Sequence, residues 1–199
     1  MNMPRSCWVI WWLAGLLFFG AGQRVQAQDT PPGEFRFEHI TVDQGLSHSD
    51  AMCMAQDQDG FIWIGTNRGI DRYDGYGLKS YSLPINPRNG QSSNRIAALL
   101  AAPSGQLWAG VENSGLSYYD AGHDAFVPLG TQVFSAAYRA LANRLAQADV
   151  KALATDAQGR LWVGTAQDGL FVLSLTAQNQ PLALRHLPAA AGKWRRARG

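Results

Sequence analysis

The residues best suited to acid–base or metal chemistry are scattered along this sequence. Its four histidines have no metal-ligand spacing: His39, His48, His123 and His186. Asp57, Asp59 and Gly60 begin like a calcium loop, but the later ligands of such a loop are missing, so a tight turn is the better interpretation. No Gly-x-Ser-x-Gly nucleophile motif occurs. The sequence therefore predicts no catalytic residue, no metal site and no cofactor.

Cysteine chemistry is also limited. Cys7 lies in an apolar N-terminal segment that we expect to be removed, which leaves Cys53 alone and without a partner for an intramolecular disulfide. Cys53 falls in the strand-like stretch Ala51-Met-Cys-Met-Ala55. A buried structural thiol is therefore the better interpretation than a reactive one.

One pattern occurs three times. Its frame is Gly-x-(Ile/Leu)-Trp-x-Gly, followed by a short turn and Gly-(Ile/Leu). A period of about 40–55 residues with one Trp per unit is typical of propellers and other repeat arrays. The residues that carry the frame are Gly60, Trp63, Gly65 and Gly69 in the first copy, Gly105, Trp108, Gly110 and Gly115 in the second, and Gly159, Trp162, Gly164 and Gly169 in the third.

The physical character of each copy indicates a structural role. Phe61 to Ile64 are apolar without a break, which predicts a strand covered on both faces, as in stacked propeller blades. The three Trp residues are predicted to pack between blades. The glycine two positions after each Trp predicts a bulge or a close backbone approach, and the next glycine predicts the turn into the following strand. These residues are expected to build blades and to carry no chemistry.

The first copy resembles the two-component regulator propeller repeat. The resemblance rests on Gly45-Leu-Ser47, on Gln56–Thr66 and on Gly69-Ile-Asp-Arg-Tyr-Asp-Gly75, and it extends over roughly residues 35–187. The opening stretch 35–47 is also similar to the usual start of such sensors. The second copy departs from the pattern at Ala102-Pro103-Ser104, Ala109 and Val111. The resemblance implies seven-bladed extracytoplasmic sensor propellers, followed in relatives by a β-sandwich, a membrane helix and a kinase.

The predicted fold class is all-β, a partial β-propeller of about three four-stranded blades. We predict a signal peptide at 1–27, cleaved after Ala27, and a linker at 28–34. Blade 1 is placed at 35–83, blade 2 at 84–130, a helical insertion with blade 3 at 131–187, and a basic tail at 188–199.

Two further elements are predicted from periodicity. Phe35-Arg-Phe-Glu-His-Ile40 alternates and predicts a strand. A short helix is expected near 133–147, because Phe134, Tyr138, Leu141 and Leu145 fall at helical spacing.

Charge and hydropathy restrict the partners. The formal net charge is only +2, with 17 basic and 15 acidic residues, and two of the basic residues, Arg5 and Arg24, lie in the leader. Without the leader, the chain carries equal numbers of basic and acidic residues, so nucleic acid is not expected as a partner. No second apolar span follows, so no membrane span is expected after cleavage; a leader retained as an anchor is the alternative.

The resulting hypothesis is a non-catalytic periplasmic propeller that senses a ligand for two-component signal transduction. The resemblance makes a carbohydrate-type ligand plausible, and the ligand-binding residues stay unknown. The loops that carry Asn67, Arg68, Asp71, Arg72 and Tyr73 are expected between strands near a propeller surface, and loops on rigid scaffolds often bind ligands. An open three-blade arc would expose apolar faces and strand edges, so its partners would be downstream sensor domains absent from this chain, or further copies of it. Two alternatives remain: an exported propeller enzyme acting on polysaccharide or lactone, and a truncated gene product without independent function.

Overall fold

The computed structural model describes residues 37–83, 94–130 and 134–189, and its strands form three four-stranded sheets. The elements follow one another as β1 (Ala51–Gln56), β2 (Ile62–Thr66), β3 (Gly69–Tyr73), β4 (Leu78–Tyr81), β5 (Ile96–Ala101), β6 (Leu107–Val111), β7 (Gly115–Asp120), β8 (Ala125–Pro128), α1 (Arg139–Leu145), β9 (Val150–Thr155), β10 (Leu161–Thr165), β11 (Leu170–Leu175) and β12 (Pro181–Leu187).

Each sheet is an antiparallel meander in which consecutive strands are neighbours. Strands β1–β4 form blade 1, β5–β8 blade 2 and β9–β12 blade 3. The first two strands pair in the same register in every blade, with Cys53 opposite Gly65, Ala98 opposite Gly110 and Ala152 opposite Gly164. The predicted all-β fold, a partial propeller of four-stranded blades, is confirmed.

Two hydrophobic cores hold the blades together. The core between blades 1 and 2 contains Trp63, Ile70 and Phe126, and the core between blades 2 and 3 contains Trp108 and Phe171. The first strands of successive blades are also in contact: β1 contacts β5, and β5 contacts β9. Blade 2 therefore contributes to both cores.

Strand burial follows the position of the blade. All five residues of β6 in the middle blade are buried, as expected for a strand covered on both faces. In β10 of blade 3 burial alternates: Leu161 and Val163 are fully buried, whereas Trp162 and Gly164 are half-buried. The half-buried pair lies on the face directed away from blade 2.

The helical insertion is present and closes the core between blades 2 and 3. A 3-10 turn at Ala136–Tyr138 leads into α1. Phe134 and Leu145 are buried in the core, and Tyr138 and Leu141 are packed against it. The helical spacing of these four apolar residues identified the face that packs.

One predicted strand is wrong. Residues 37–40 have no strand conformation, and the chain instead enters a 3-10 turn at Val42–Gln44, capped by Thr41. Alternation alone did not form a strand because, among the described residues, no neighbouring strand pairs with this segment.

Several predictions fall outside the described residues. The signal peptide, the linker and all but two residues of the predicted basic tail are among them. Within the described ranges, no helix has both the length and the apolar character needed to cross a bilayer.

Candidate functional site

A carboxylate–indole pair organises the turn between the first two strands in blades 1 and 3. Trp63 Nε1 donates to Asp57 Oδ2 at 2.6 Å, and the other carboxylate oxygen accepts the backbone N–H groups of Asp59 and Phe61. Trp162 Nε1 donates to Asp156 in the same way at 2.8 Å. The indole hydrogen bond, together with backbone N–H groups and Arg160, lowers the pKa of Asp156 to about 2.

Blade 2 lacks this pair. Ala102 occupies the position of Asp57, and the buried Trp108 Nε1 has no hydrogen-bond partner among the described residues. Blade 2 also lacks the threonine at the end of the second strand. In blades 1 and 3 the hydroxyl groups of Thr66 and Thr165 each donate a hydrogen bond to a glycine carbonyl across the following turn, at 3.1 and 2.8 Å. Val111 occupies this position in blade 2 and has no hydroxyl group. The second copy thus forms a blade with fewer side-chain hydrogen bonds.

A cleft of about 250 Å³ lies where the second copy departs from the repeat. It is formed by the first turns of blades 2 and 3 and by the turn between β11 and β12. Its polar lining consists of hydroxyl and amide side chains, and its apolar lining includes Pro103 and Leu175. The polar side chains are Ser104, Thr155, Gln158, Thr176 and Asn179.

The corresponding position between blades 1 and 2 is bridged. Gln58 Nε2 in the first turn of blade 1 donates to the carbonyl oxygen of Pro103 in blade 2, at 3.0 Å. Pro103 itself occupies the equivalent of Gln58, and it has no side-chain donor that could reach blade 3. The substitution of Gln by Pro in the second copy therefore leaves this cleft unbridged.

The cleft has a definite chemical character. No charged side chain lines it, and five side chains offer both donors and acceptors. Its volume of about 250 Å³ is just below the range of ordinary ligand sites, about 300 to 1,000 Å³. These properties suit a small, neutral, hydroxylated ligand, held by hydrogen bonds and by contact with the apolar lining.

The position of Asp71 differs from the one expected from the sequence. It was placed with residues between strands near the surface, yet it lies in β3 and is fully buried. Its carboxylate accepts hydrogen bonds from Ser47 N at 2.9 Å, Ser47 Oγ at 2.6 Å and Ser80 Oγ at 2.5 Å. Arg72 and Tyr73 lie in the same strand, whereas Asn67 and Arg68 form the turn before it. Asp71 fastens the segment before blade 1 to its sheet and is not available to a ligand.

A second polar cluster joins the outer edges of blades 1 and 2. Asp124, in the turn between β7 and β8, accepts hydrogen bonds from Tyr81 Oη at 2.8 Å and Tyr119 Oη at 2.7 Å, and it also binds Lys79. Its hydrogen bond from Lys79, supported by the two tyrosines, holds the pKa of Asp124 well below its usual range. Burial and the neighbouring carboxylate raise the pKa of Tyr81. The cluster joins two blades and leaves no free nucleophile.

The remaining candidates for chemistry are also engaged. Burial raises the pKa of Cys53 to about 11, so its thiolate is scarce at neutral pH. The histidines lie apart: His123 bonds Asp120 at 2.7 Å, and His186 lies 2.5 Å from the Asp168 carbonyl oxygen. Within the part of the chain that the structure describes, no group of three or more His, Cys, Asp and Glu side chains could hold a metal ion.

The repeat residues occupy equivalent places in the three blades. Trp63 and Trp108 are buried between blades, and the glycines two positions later face the next blade: Gly65 faces Ile96, and Gly110 faces Val150. Trp162 and Gly164 have no such neighbour among the described residues. The first glycine of each copy, Gly60, Gly105 and Gly159, and the last, Gly69, Gly115 and Gly169, all have positive φ.

Sequence reasoning missed the cleft, although a signal for it was present. The departure at Ala102-Pro103-Ser104 marked the second copy as different. That departure removes the carboxylate and the bridging amide, and it contributes three residues to the cleft.

Comparison with protein families identifies the repeat. The model of the two component regulator propeller family matches residues 45–68 and 144–167, which include the first three frame residues of the first and third copies. Histidine kinase P4 of Formosa agariphila is 33% identical over 66 residues, which cover 33% of this chain and 5% of that protein. The chain thus spans a small part of the curated relative it matches.

Solved structures show the same fold. The extracellular domain of a hybrid two component system from B. thetaiotaomicron matches with a TM-score of 0.57 and 21% identity, over 76% of this chain and 20% of that one. A second such domain from the same organism matches with a TM-score of 0.56 and 23% identity, over 76% of this chain and 18% of the other. At these identities the likeness concerns the fold.

Proposed function

We propose that this chain, which carries repeats of the two component regulator propeller family, is a non-catalytic, ligand-sensing part of an exported bacterial signalling protein. The family match and the propeller fold support a sensor role. The predicted signal peptide supports a periplasmic location. The observation that carries ligand binding is the uncharged polar cleft between blades 2 and 3.

The ligand that this cleft suits best is of carbohydrate type. Hydroxyl and amide side chains match the alternating donors and acceptors of sugar hydroxyl groups, and Pro103 and Leu175 offer surface to the apolar face of a ring. A charged ligand would find no ion-pair partner in the lining.

Binding can be tested by isothermal titration calorimetry and thermal shift with a panel of neutral mono- and oligosaccharides, and with uronic acids as charged counterparts. We expect at least one neutral sugar to bind and to raise the melting temperature. Ser104→Trp should fill the cleft and abolish binding. Asp59→Trp is the matched control, because Asp59 holds the same position in the exposed first turn of blade 1.

Binding that survives Ser104→Trp, or that is lost equally in Asp59→Trp, would place the ligand elsewhere. Binding of uronic acids alone would overturn the neutral character of the site. A panel without any binder would overturn the carbohydrate assignment.

A further inference from the structure

A buried hydrogen-bond donor without an acceptor lies beside the cleft between blades 2 and 3. Trp108 is 1% exposed, and its Nε1–H has no partner among the described residues. Leaving a buried donor unpaired costs free energy, so an oxygen atom that reaches this nitrogen would be bound favourably.

The other two blades show which group belongs next to the indole. In blade 1 Asp57 lies six residues before Trp63, and its carboxylate accepts the indole N–H at 2.6 Å. In blade 3 Asp156 makes the same contact with the tryptophan of its own blade, at 2.8 Å. Ala102 is the equivalent residue of blade 2, and it belongs to the lining of the cleft. The place that the carboxylate takes in the other blades, here termed the acceptor position, therefore adjoins the cleft.

Backbone donors converge on the acceptor position as well. In blades 1 and 3 the carboxylate also accepts the N–H groups of the residues two and four positions later. In blade 2 these residues are Ser104 and Gln106, and Ala102 has no side-chain oxygen to offer them. The turn is otherwise the same, with the backbone hydrogen bonds of the other two copies. The acceptor position thus collects three N–H donors and suits a group that accepts without donating.

The surrounding charge favours a neutral acceptor over a carboxylate. In blade 3 Arg160 pairs with Asp156 at 2.6 Å, and in blade 1 the guanidinium of Arg72 lies 5.6 Å from the centre of the tryptophan ring. The equivalents of these two arginines in blade 2 are Gln106 and Tyr118. Because no charged side chain lines the cleft either, an uncharged carbonyl oxygen fits this position better than a carboxylate does.

The rest of the cleft suits the other atoms of an acetamido group. The apolar lining formed by Pro103, Leu175 and Ala177 is available to its methyl group, and the hydroxyl and amide side chains offer acceptors to its N–H. A sugar hydroxyl fits the acceptor position less well, because it must also donate its own proton and the position holds only donors.

We propose, on the premise that the cleft is the sugar site suggested above, that it recognises a neutral sugar carrying an acetamido group whose carbonyl oxygen accepts the indole N–H of Trp108. The ligand then supplies in blade 2 the acceptor that Asp57 and Asp156 supply in the other blades. The alanine at position 102 is the residue that determines this specificity, because an aspartate there would occupy the acceptor position itself.

The test compares sugars that differ only in this group: N-acetylglucosamine with glucose, and N-acetylgalactosamine with galactose. Isothermal titration calorimetry on the protein produced from the full chain gives the dissociation constants. At least one acetamido sugar should bind ~10-fold or more tightly than its parent sugar, because it pairs a buried donor. In ¹⁵N NMR spectra, the assigned Nε1–H signal of Trp108 should move downfield with the acetamido sugar and stay in place with the parent sugar.

A pair of variants separates the hydrogen bond from the effect of added charge. Ala102→Asp should weaken binding of the acetamido sugar by ~10-fold or more, to about the affinity of the parent sugar, because its carboxylate takes the indole N–H. Ala177→Asp is the control, since it adds the same charge to an exposed part of the lining, in the turn between β11 and β12. It should change the dissociation constant of this neutral ligand by less than ~3-fold.

The outcomes distinguish this inference from the function on which it rests. Equal affinities for acetamido and parent sugars, with an unmoved Trp108 signal, would overturn the acetamido assignment and leave the neutral sugar site standing. Equal losses in Ala102→Asp and Ala177→Asp, or no loss in Ala102→Asp, would also overturn it. So would tighter binding of glucuronic acid than of either acetamido sugar, since the acceptor position would then take a carboxylate. If no sugar binds, the proposed function fails and this inference fails with it.

Discussion

At the scale of single residues, one carboxylate organises the turn between the first two strands of a blade. Asp57 accepts two backbone N–H groups and the indole N–H of Trp63, so it ties the turn to the tryptophan that is buried in the core. Asp156 does the same for Trp162. The pair explains why Asp and Trp occur six residues apart in both copies that the family model matches.

The first prediction concerns this pair. Asp57→Ala should lower the free energy of unfolding by about 1–3 kcal/mol, because the buried indole N–H and two backbone groups lose their acceptor. Urea denaturation followed by tryptophan fluorescence measures the change. Asp59→Ala is the control: the side chain is exposed in the same turn, and its loss should change stability by less than about 0.5 kcal/mol.

The opposite substitution, which adds the missing carboxylate to blade 2, tests the same hydrogen bond. Ala102→Asp gives blade 2 the missing acceptor for Trp108 Nε1, and the backbone of this turn already has the hydrogen bonds of the other two copies. The free energy of unfolding should rise by about 1 kcal/mol. A loss of stability in Ala102→Asp, together with no effect of Asp57→Ala, would show that the indole hydrogen bond contributes little.

Residues that repeat could be predicted from the sequence, and residues that do not repeat could not. Trp63 and Gly65 were recognised because the same residues recur at the same spacing. The burial of Asp71 was missed, because its partner Ser47 lies 24 residues earlier and outside the repeat frame. A carboxylate fixed by such non-local hydrogen bonds has no local signature.

At the scale of elements, the glycine that follows each tryptophan sets how closely two blades approach. Gly65 lies in β2, and a methyl group there would be 2.5 Å from Cys53 Sγ and 2.7 Å from Ile96 Cγ2. Ile96 has no room to withdraw, because it is fully buried in the core between the blades. The glycine is therefore required by packing between strands.

The second prediction follows from this contact. Gly65→Ala should destabilise the protein by about 1–3 kcal/mol through overpacking of the interface between blades 1 and 2. Gly130→Ala is the control, because a methyl group there meets no atom within 4 Å and its φ is negative. Equal unfolding midpoints of the two variants in urea would show that the interface adjusts without cost.

Elements were predicted where local pattern and tertiary packing agree. The apolar spacing of residues 134–145 indicated a helix, and those side chains do enter a core. The alternation of residues 35–40 indicated a strand, yet the described part of that segment has no pairing partner. Hydrogen bonding to a neighbour decides whether an alternating segment becomes a strand, and the segment's own sequence does not contain that information.

At the scale of the whole molecule, the middle blade couples the two ends of the arc. Phe126 of blade 2 packs against blade 1, and Trp108 and Leu116 of the same blade pack in the core with blade 3. Every residue of β6 is buried between these two cores. Opening of either core exposes one face of blade 2, and we therefore expect the three blades to unfold as one unit.

Hydrogen exchange tests this coupling. Ile70→Val removes one methylene from the core between blades 1 and 2, where Ile70 is fully buried, and should cost about 0.5–1.5 kcal/mol. If the blades open together, amide exchange in β10 of blade 3 should accelerate by the same factor as in β2, up to roughly tenfold. Mass spectrometry of peptic peptides resolves the two strands. Ser82→Ala, exposed in blade 1, should accelerate neither. Faster exchange confined to blade 1 would show instead that it opens alone and that blade 2 does not transmit the change.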